Sequence, residues 1–297
     1  MSKSGFNKSF KDGTGGLRAG GNNATQGFRS AERKVVAASV WDDSVPVGYW
    51  NFEDGSGTTL SDVSSAGNNL DGTLKGVSSD YPDWKTDNKV RGNSSLLFED
   101  GSGQLVHMAD NSVLDFNPDD DFSLSVWFKR VTTLSSLAVL IGKMTNNAVG
   151  LEVDWTGYTV YLDSGVTPYF LLRESASSEL RVYYNAVLNN TNWHNLVVTY
   201  NGTGGDAANL AAVKMYVDGS AVTVTQNTDT LNDDDLTTTS TDFAIGALSK
   251  GTGNGLYFFD GHIDECAVWS KTLSADEVTD VYNSGDGNDL TDGIPKS

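Results

Sequence analysis

Residues 122–129 alternate without a break. Phe122, Leu124, Val126 and Phe128 fall on one side, and Ser123, Ser125, Trp127 and Lys129 on the other. A period of two is the mark of a strand with one face toward a core. Leu196–Tyr200 is a more continuous apolar run and reads as a second strand. Val213–Val217 and Ser220–Val224 flank Asp218-Gly219. That dipeptide predicts a two-residue hairpin, because both central positions of a type I′ turn need positive φ. Pro46, Pro82, Pro118 and Pro168 fit loops or strand edges.

Composition agrees with many short strands. Only 38% of the 297 residues are hydrophobic, yet there are 32 Gly, 7 Trp, 11 Tyr and 12 Phe. Such a mix excludes a helical bundle. One helix is predicted near the end of the chain. Ser274 caps it, Glu277 closes a capping box, Val278, Val281 and Tyr282 share a face, and Gly285 ends it. Trp127 and Trp193 are large enough to fill a core between two sheets.

Charge divides the chain. Before residue 41, seven Lys and Arg face only Asp12 and Glu32, a local +5 in a chain whose total is −19. Residues 1–44 therefore form a basic arm rich in Gly, Ser and Asn, with no sustained period. Lys3, Lys8, Lys11, Arg18, Arg29, Arg33 and Lys34, with Phe6, Phe10 and Phe28, are candidate partner-binding residues. Residues 45–285 hold the strands. Residues 286–297, with Asp286, Asp289 and Asp292, read as a solvated acidic tail.

Several function classes fall away. The acidic total disfavours nucleic acid and anionic membranes as partners. Cys266 is the single cysteine, so no intrachain disulfide forms, and it reads as a buried structural thiol. His107, His194 and His262 lack zinc spacing. No apolar run is long enough to span a membrane. No apolar segment follows the first lysines, so the expectation is a protein made in a cytoplasm without a secretory signal.

Four segments resemble one family. They are Gly48–Gly57 (GYWNFEDGSG) with Asn68–Leu74 (NNLDGTL), then Phe122–Phe128 (FSLSVWF). The third is Trp193–Gly202 (WHNLVVTYNG) with Lys214–Gly219 (KMYVDG). The fourth is Phe259–Trp269 (FDGHIDECAVW), followed by the Leu273–Glu277 helix start. In order and spacing the chain resembles the laminin-G-like jelly-roll domains of the concanavalin A-like lectin/glucanase superfamily. The resemblance implies an all-β fold: a two-sheet antiparallel jelly-roll sandwich with one short C-terminal helix, preceded by an irregular N-terminal arm.

The resemblance also implies chemistry. Glycosidases of this fold carry alternating acids on one strand, about 5 Å apart for a retaining mechanism. Glu152-Val153-Asp154-Trp155 begins in that way, but Thr156 and Gly157 stand where the last acid belongs. No catalytic residue is expected, and the protein is read as a non-enzyme. Relatives hold calcium where the first loop meets the Ile-Asp-Glu strand. Here that implies structural Ca²⁺ at Glu53, Asp54, Asp71 and Asp264. The runs Asp119–Asp121 and Asp233–Asp235 read as solvation. Lectin-type sugar binding would use Trp155, Tyr158, Tyr161, Tyr169, Tyr183 or Tyr184.

Two functions follow as expectations. The first is a structural display protein, a bacteriophage capsid decoration or accessory virion component, whose arm docks on a large assembly and turns the sandwich outward. The alternative is a carbohydrate-binding or host-adhesion module that recognises glycans. A divergent glycoside hydrolase ranks last.

Overall fold

The computed structural model describes residues 45–134, 136–146, 155–188, 190–202, 210–231, 241–251 and 254–296. The chain divides into two units, Met1–Ala38 and Ser39–Ser297, and every described residue belongs to the second.

The strands run in chain order as follows. The first group is β1 (Gly48–Trp50), β2 (Thr59–Leu60), β3 (Gly72–Lys75), β4 (Asp83–Lys85), β5 (Ser95–Phe98) and β6 (Leu105–Met108). Next come β7 (Phe122–Arg130), β8 (Ala138–Asn146), β9 (Trp155–Leu162), β10 (Pro168–Ser175), β11 (Ser178–Tyr184) and β12 (His194–Tyr200). Then follow β13 (Val213–Val217), β14 (Ser220–Val222), β15 (Val224–Asp229), β16 (Phe243–Ile245), β17 (Leu248–Ser249), β18 (Gly255–Leu256) and β19 (Gly261–Trp269). A single α-helix among the described residues, α1 (Ala275–Tyr282), comes last.

One sheet has the order β14-β13-β12-β7-β19-β5-β4, with β1 also on β19. The other runs β15-β11-β10-β9-β8-β16-β6-β3-β2. The pairings are antiparallel, and β17 and β18 form a separate small hairpin. This is the expected jelly-roll sandwich.

Its core lies between the two inner faces. Phe122, Leu124, Val126 and Phe128 of β7 meet Tyr158, Val160, Phe170 and Leu172 from the opposite sheet in one buried cluster. Full burial of such a side chain stabilises the fold by about 1.5–3 kcal/mol. Phe116 stacks on Phe122 at 4.8 Å, and Tyr200 tilts against Phe122 at 5.2 Å. The buried phenols keep partners: Tyr158 donates to the Leu114 carbonyl (2.9 Å) and Tyr200 to that of Pro118 (2.6 Å).

The hairpin is as predicted, with Asp218 at φ 51° and Gly219 at φ 72°. The run after it breaks, however: β14 pairs β13, whereas β15 has crossed to the other sheet beside β11. The capping box of α1 is complete, with Ser274 and Glu277 each bonding the other's backbone amide. Asn283, at φ 47°, takes the left-handed cap position expected of Gly285.

Two expectations are corrected. Trp127 and Trp193 do not fill the inter-sheet core. Trp127 lies on the outer face of β7 and stacks on Tyr282 of α1 at 5.4 Å. Trp193 is half-buried, with its ring 6.0 Å from His262. Trp50 takes the core place, stacked on Phe243 at 5.4 Å, with its indole N–H on the Leu70 carbonyl (2.8 Å). Nor is the acidic tail solvated throughout. Leu290 and Ile294 are buried with Tyr49, Trp269, Val278 and Val281 on the outer face of β19. An uncovered outer face of this sheet would expose those rings, and the last residues cover them.

Candidate functional site

The expected calcium ligands are bonded to the chain's own donors. Both Glu53 oxygens accept from the Asn93 amide (2.7 Å each), and its Oε2 also from Asn93 Nδ2 (2.7 Å). Asp54 accepts from the Ser61 amide (2.9 Å) and hydroxyl (2.7 Å), and Asp71 from the Asp62 amide (2.9 Å). Asp264 is fully buried and accepts from the amides of Val90 (2.8 Å) and Glu265 (3.0 Å). Glu53 and Asp264 thus tie down the 90–94 segment, while Asp54 and Asp71 tie the loop before β3. Among the described residues, no group of three or more His, Cys, Asp or Glu is placed to hold a metal ion. The four expected ligands do not fit a common calcium shell.

A bulge places Asp264. Asp264 lies opposite Trp127 and Ala267 opposite Ser125, so β19 carries one residue more than β7 in this interval. Glu265 takes the extra place at φ 47°. Its carboxyl bonds the Tyr49 hydroxyl, and Arg91 approaches to 3.7 Å. Burial pushes the Glu265 carboxyl up to about 8, against the pull of Tyr49 and Arg91. Burial, then Glu265, raises Asp264, while the amides of Val90, Glu265 and Arg91 oppose the shift.

The expected sugar-stacking aromatics are mostly engaged with one another. Tyr158 is in the core. Tyr161, Tyr169 and Tyr183 form a ladder across β9, β10 and β11, with rings stacked at 5.0 and 5.1 Å. Their faces meet each other, so a pyranose finds few free. Trp155 is buried, with its ring edge-on to Tyr257 at 5.3 Å, and Tyr184 packs against the core. The arm residues between Lys3 and Lys34, the acidic stretch Glu152–Asp154 and Asp233–Asp235 lie outside the described residues.

A different place combines a half-buried aromatic ring with exposed charges. At the rim, the turn between β5 and β6 meets the turn after β3 and the β17–β18 hairpin around a cleft of about 700 Å³. Phe258, Val77, Gly103 and Gly255 supply its apolar part, and Asp100, Lys250 and Asn254 its polar part. Val77 is 64% exposed, far from the usual state of a valine. Gly103 ends the Asp100–Ser102 turn at φ 63°. A Cβ there would lie 3.7 Å from Phe258 Cζ, and one on Gly255 only 2.8 Å from Phe258 Cε1. The two glycines let the backbone of both turns come close to the ring, which is itself half-buried against Leu105, Ala244 and Ala247.

The cleft is held from behind. Gln104 is buried, accepts from the Glu99 amide (2.8 Å) and donates to the Tyr81 carbonyl (3.1 Å). It bolts two of the loops together. Across the hairpin turn, the Lys250 amide donates to the Asn254 carbonyl (2.8 Å). Asp100 and Lys250 are both exposed, and neither makes an ion pair among the described residues. An aromatic floor with an unpaired acid and an unpaired cation suits a polar ligand with one apolar face. Sequence reading passed over this place. Its signal was a set of Gly-rich phrases, Glu99–Gly103 and Gly251–Gly255, whose meeting depends on strand order.

The fold has solved counterparts. The botulinum neurotoxin serotype D binding domain matches with TM-score 0.56 and 15% identity, over 82% of this chain and 52% of that one. The binding domain of Paraclostridial Mosquitocidal Protein 1 matches with TM-score 0.54 and 15% identity, over 81% and 52%. Botulinum neurotoxin type C, whose cell entry depends on interaction with two ganglioside molecules, matches with TM-score 0.52 and 16% identity, over 81% and 51%. The chain spans about half the length of these structures, and at such identity the likeness is one of fold. No curated protein matches in sequence. The Laminin_G_3 family model matches residues 100–279, more than half of the chain, and the protein therefore belongs to this family of the concanavalin A-like lectin/glucanases superfamily.

Proposed function

We propose that the protein is a non-enzymatic, lectin-type binding module whose glycan ligand occupies the rim cleft around Phe258. The observation that carries the reading is one cleft lined by the half-buried Phe258 ring together with exposed Asp100 and Lys250, neither of which makes an ion pair among the described residues. One face of a sugar ring is lined with C–H groups and packs on an aromatic ring. Its hydroxyls then bond the carboxylate and the ammonium. Membership of a lectin-containing superfamily supports this, as does a fold shared with toxin binding domains, one from a toxin that engages gangliosides.

Gly101 supplies the test. A Cβ there meets nothing within 4 Å, so the fold accepts a side chain, and Gly101 lines the cleft. The wild-type chain is expected to bind members of a glycan array, and Gly101→Trp to lose that binding while its melting curve is unchanged. An array without signal for the wild type overturns the reading.

The local charge of +5 before residue 41 favours a further, compatible role for the arm: anchorage in a virion or another large assembly. Deleting residues 1–40 would then abolish incorporation into particles while the sandwich still folds. Normal incorporation would remove that role.

A further inference from the structure

We infer that the rim site is a two-part groove that takes an anionic oligosaccharide in one direction, with its acidic group at Lys250. The inference rests on the reading of the cleft as a glycan site. A second cleft of about 480 Å³ adjoins the first and shares Asp100 and Gly101 with it. Each volume lies in the range of about 300–1,000 Å³ usual for small-ligand pockets. Joined at Asp100, they suit a ligand of more than one ring.

Charge gives the groove a direction. The first part holds the cation Lys250 beside Phe258. The second holds Glu99 and Asp260 and, among the described residues that line it, no cation. A carboxylate or sulfate on the ligand is attracted at the Lys250 end and repelled at the other. Neutral hydroxyls, by contrast, donate well to Glu99 and Asp260. Burial, with a further contribution from Asp100, raises the Asp260 carboxyl. An added anion would sharpen that repulsion.

The whole chain carries −19, so its long-range field repels an anionic ligand. Selection for an anion must then come from contact with Lys250. The two charges of the first part bridge to the ligand instead of each other: Lys250 to the acidic group, Asp100 to ring hydroxyls at the junction. A charge-assisted bond of this kind is directional and strong beside a neutral one.

The test uses the full-length chain and an array holding neutral oligosaccharides with their carboxylated and sulfated counterparts. Wild type should prefer the anionic members by roughly tenfold, equivalent to about 1.4 kcal/mol. Carboxylated and sulfated arms tell which anion is taken. Lys250 is exposed, so Lys250→Glu should fold; it should abolish the preference for the anionic members, whereas Lys250→Arg should keep it. Equal binding of neutral and anionic members, or a preference unchanged in Lys250→Glu, overturns the inference and leaves the glycan site standing. Binding that survives Gly101→Trp, or none by the wild type, overturns both.

Discussion

Nε2 of His262 lies 2.6 Å from Nδ2 of Asn88, and this contact makes the histidine an acceptor there. Asn88 Oδ1 accepts from the Lys129 ammonium (2.9 Å), which turns the side-chain amide nitrogen toward the ring. A neutral imidazole follows, with its proton on Nδ1 facing Ser95 Oγ at 3.4 Å. Burial first, then Lys129 and Lys85, lowers His262 from 6.5 to about 4. Between those values the unfolded chain binds a proton that the native chain refuses. Stability from this group is complete above pH 6.5 and declines as pH falls toward 4. Melting temperatures of wild type and His262→Gln should therefore differ by a constant at neutral pH and diverge from that constant below 6.5, to the wild type's disadvantage. A difference flat from pH 7 to 4 would refute the neutral assignment.

Lys143 predicts a larger effect. Its side chain is completely buried, facing the inter-sheet core from β8. The ammonium bonds Asp110 (2.7 Å), the Asn111 carbonyl (3.1 Å) and Asp115, one acceptor for each of its three protons. Breaking a buried pair costs about 3–5 kcal/mol. Asp110 and Asp115 keep 32% and 20% of their side-chain exposure, which places Lys143→Met near the lower end, at about 3 kcal/mol. Urea unfolding measures it. A loss under about 1 kcal/mol would mean that the three contacts are replaced by water.

Local rules carried most of the sandwich. The alternation at Phe122–Phe128, the turn at Asp218-Gly219 and the Ser274 capping box each rest on neighbours in sequence, and each stands where expected. What failed depends on distant residues. Period two puts Asp264 and Glu265 on opposite faces, but the bulge in β19 lets both serve the outer one. Trp127 was legible as a buried ring, though its cover is Tyr282, far along the chain. The rim cleft joins glycines of the 99–103 and 251–255 turns with Phe258, and a glycine signals a turn without naming the turn it will meet.

The final residues show the same limit and supply a prediction. Leu290 and Ile294 stand singly among polar neighbours, with no period to mark them. Yet the Thr291 carbonyl accepts from the Ser65 amide (2.8 Å), Asp289 pairs with Arg91 (3.1 Å), and Ile294 has no exposed surface. Ile294→Ala should cost about 2–5 kcal/mol, as cavity-forming changes do. Denaturant melts of that variant decide between a packed and a solvated end, and a change under about 0.5 kcal/mol would favour the solvated one.

Calcium offers the last test, because Asp264 has two competing explanations. As a ligand it would leave the native state dependent on the ion. At calcium a hundredfold above its dissociation constant, that is about 2.7 kcal/mol of stability. For a domain of 150–250 residues, each kcal/mol corresponds to about 2–4 °C, so EDTA should lower the melting temperature by several degrees. As an acceptor for Val90 and Glu265 it needs no ion, and EDTA should leave the curve in place. The geometry favours the second outcome. Asp264→Asn should then destabilise with or without calcium, since the new amide turns a donor toward amides that need an acceptor. Leaving such a buried donor unpaired costs about 1–3 kcal/mol. A large EDTA shift that vanishes in Asp264→Asn would restore calcium at this strand.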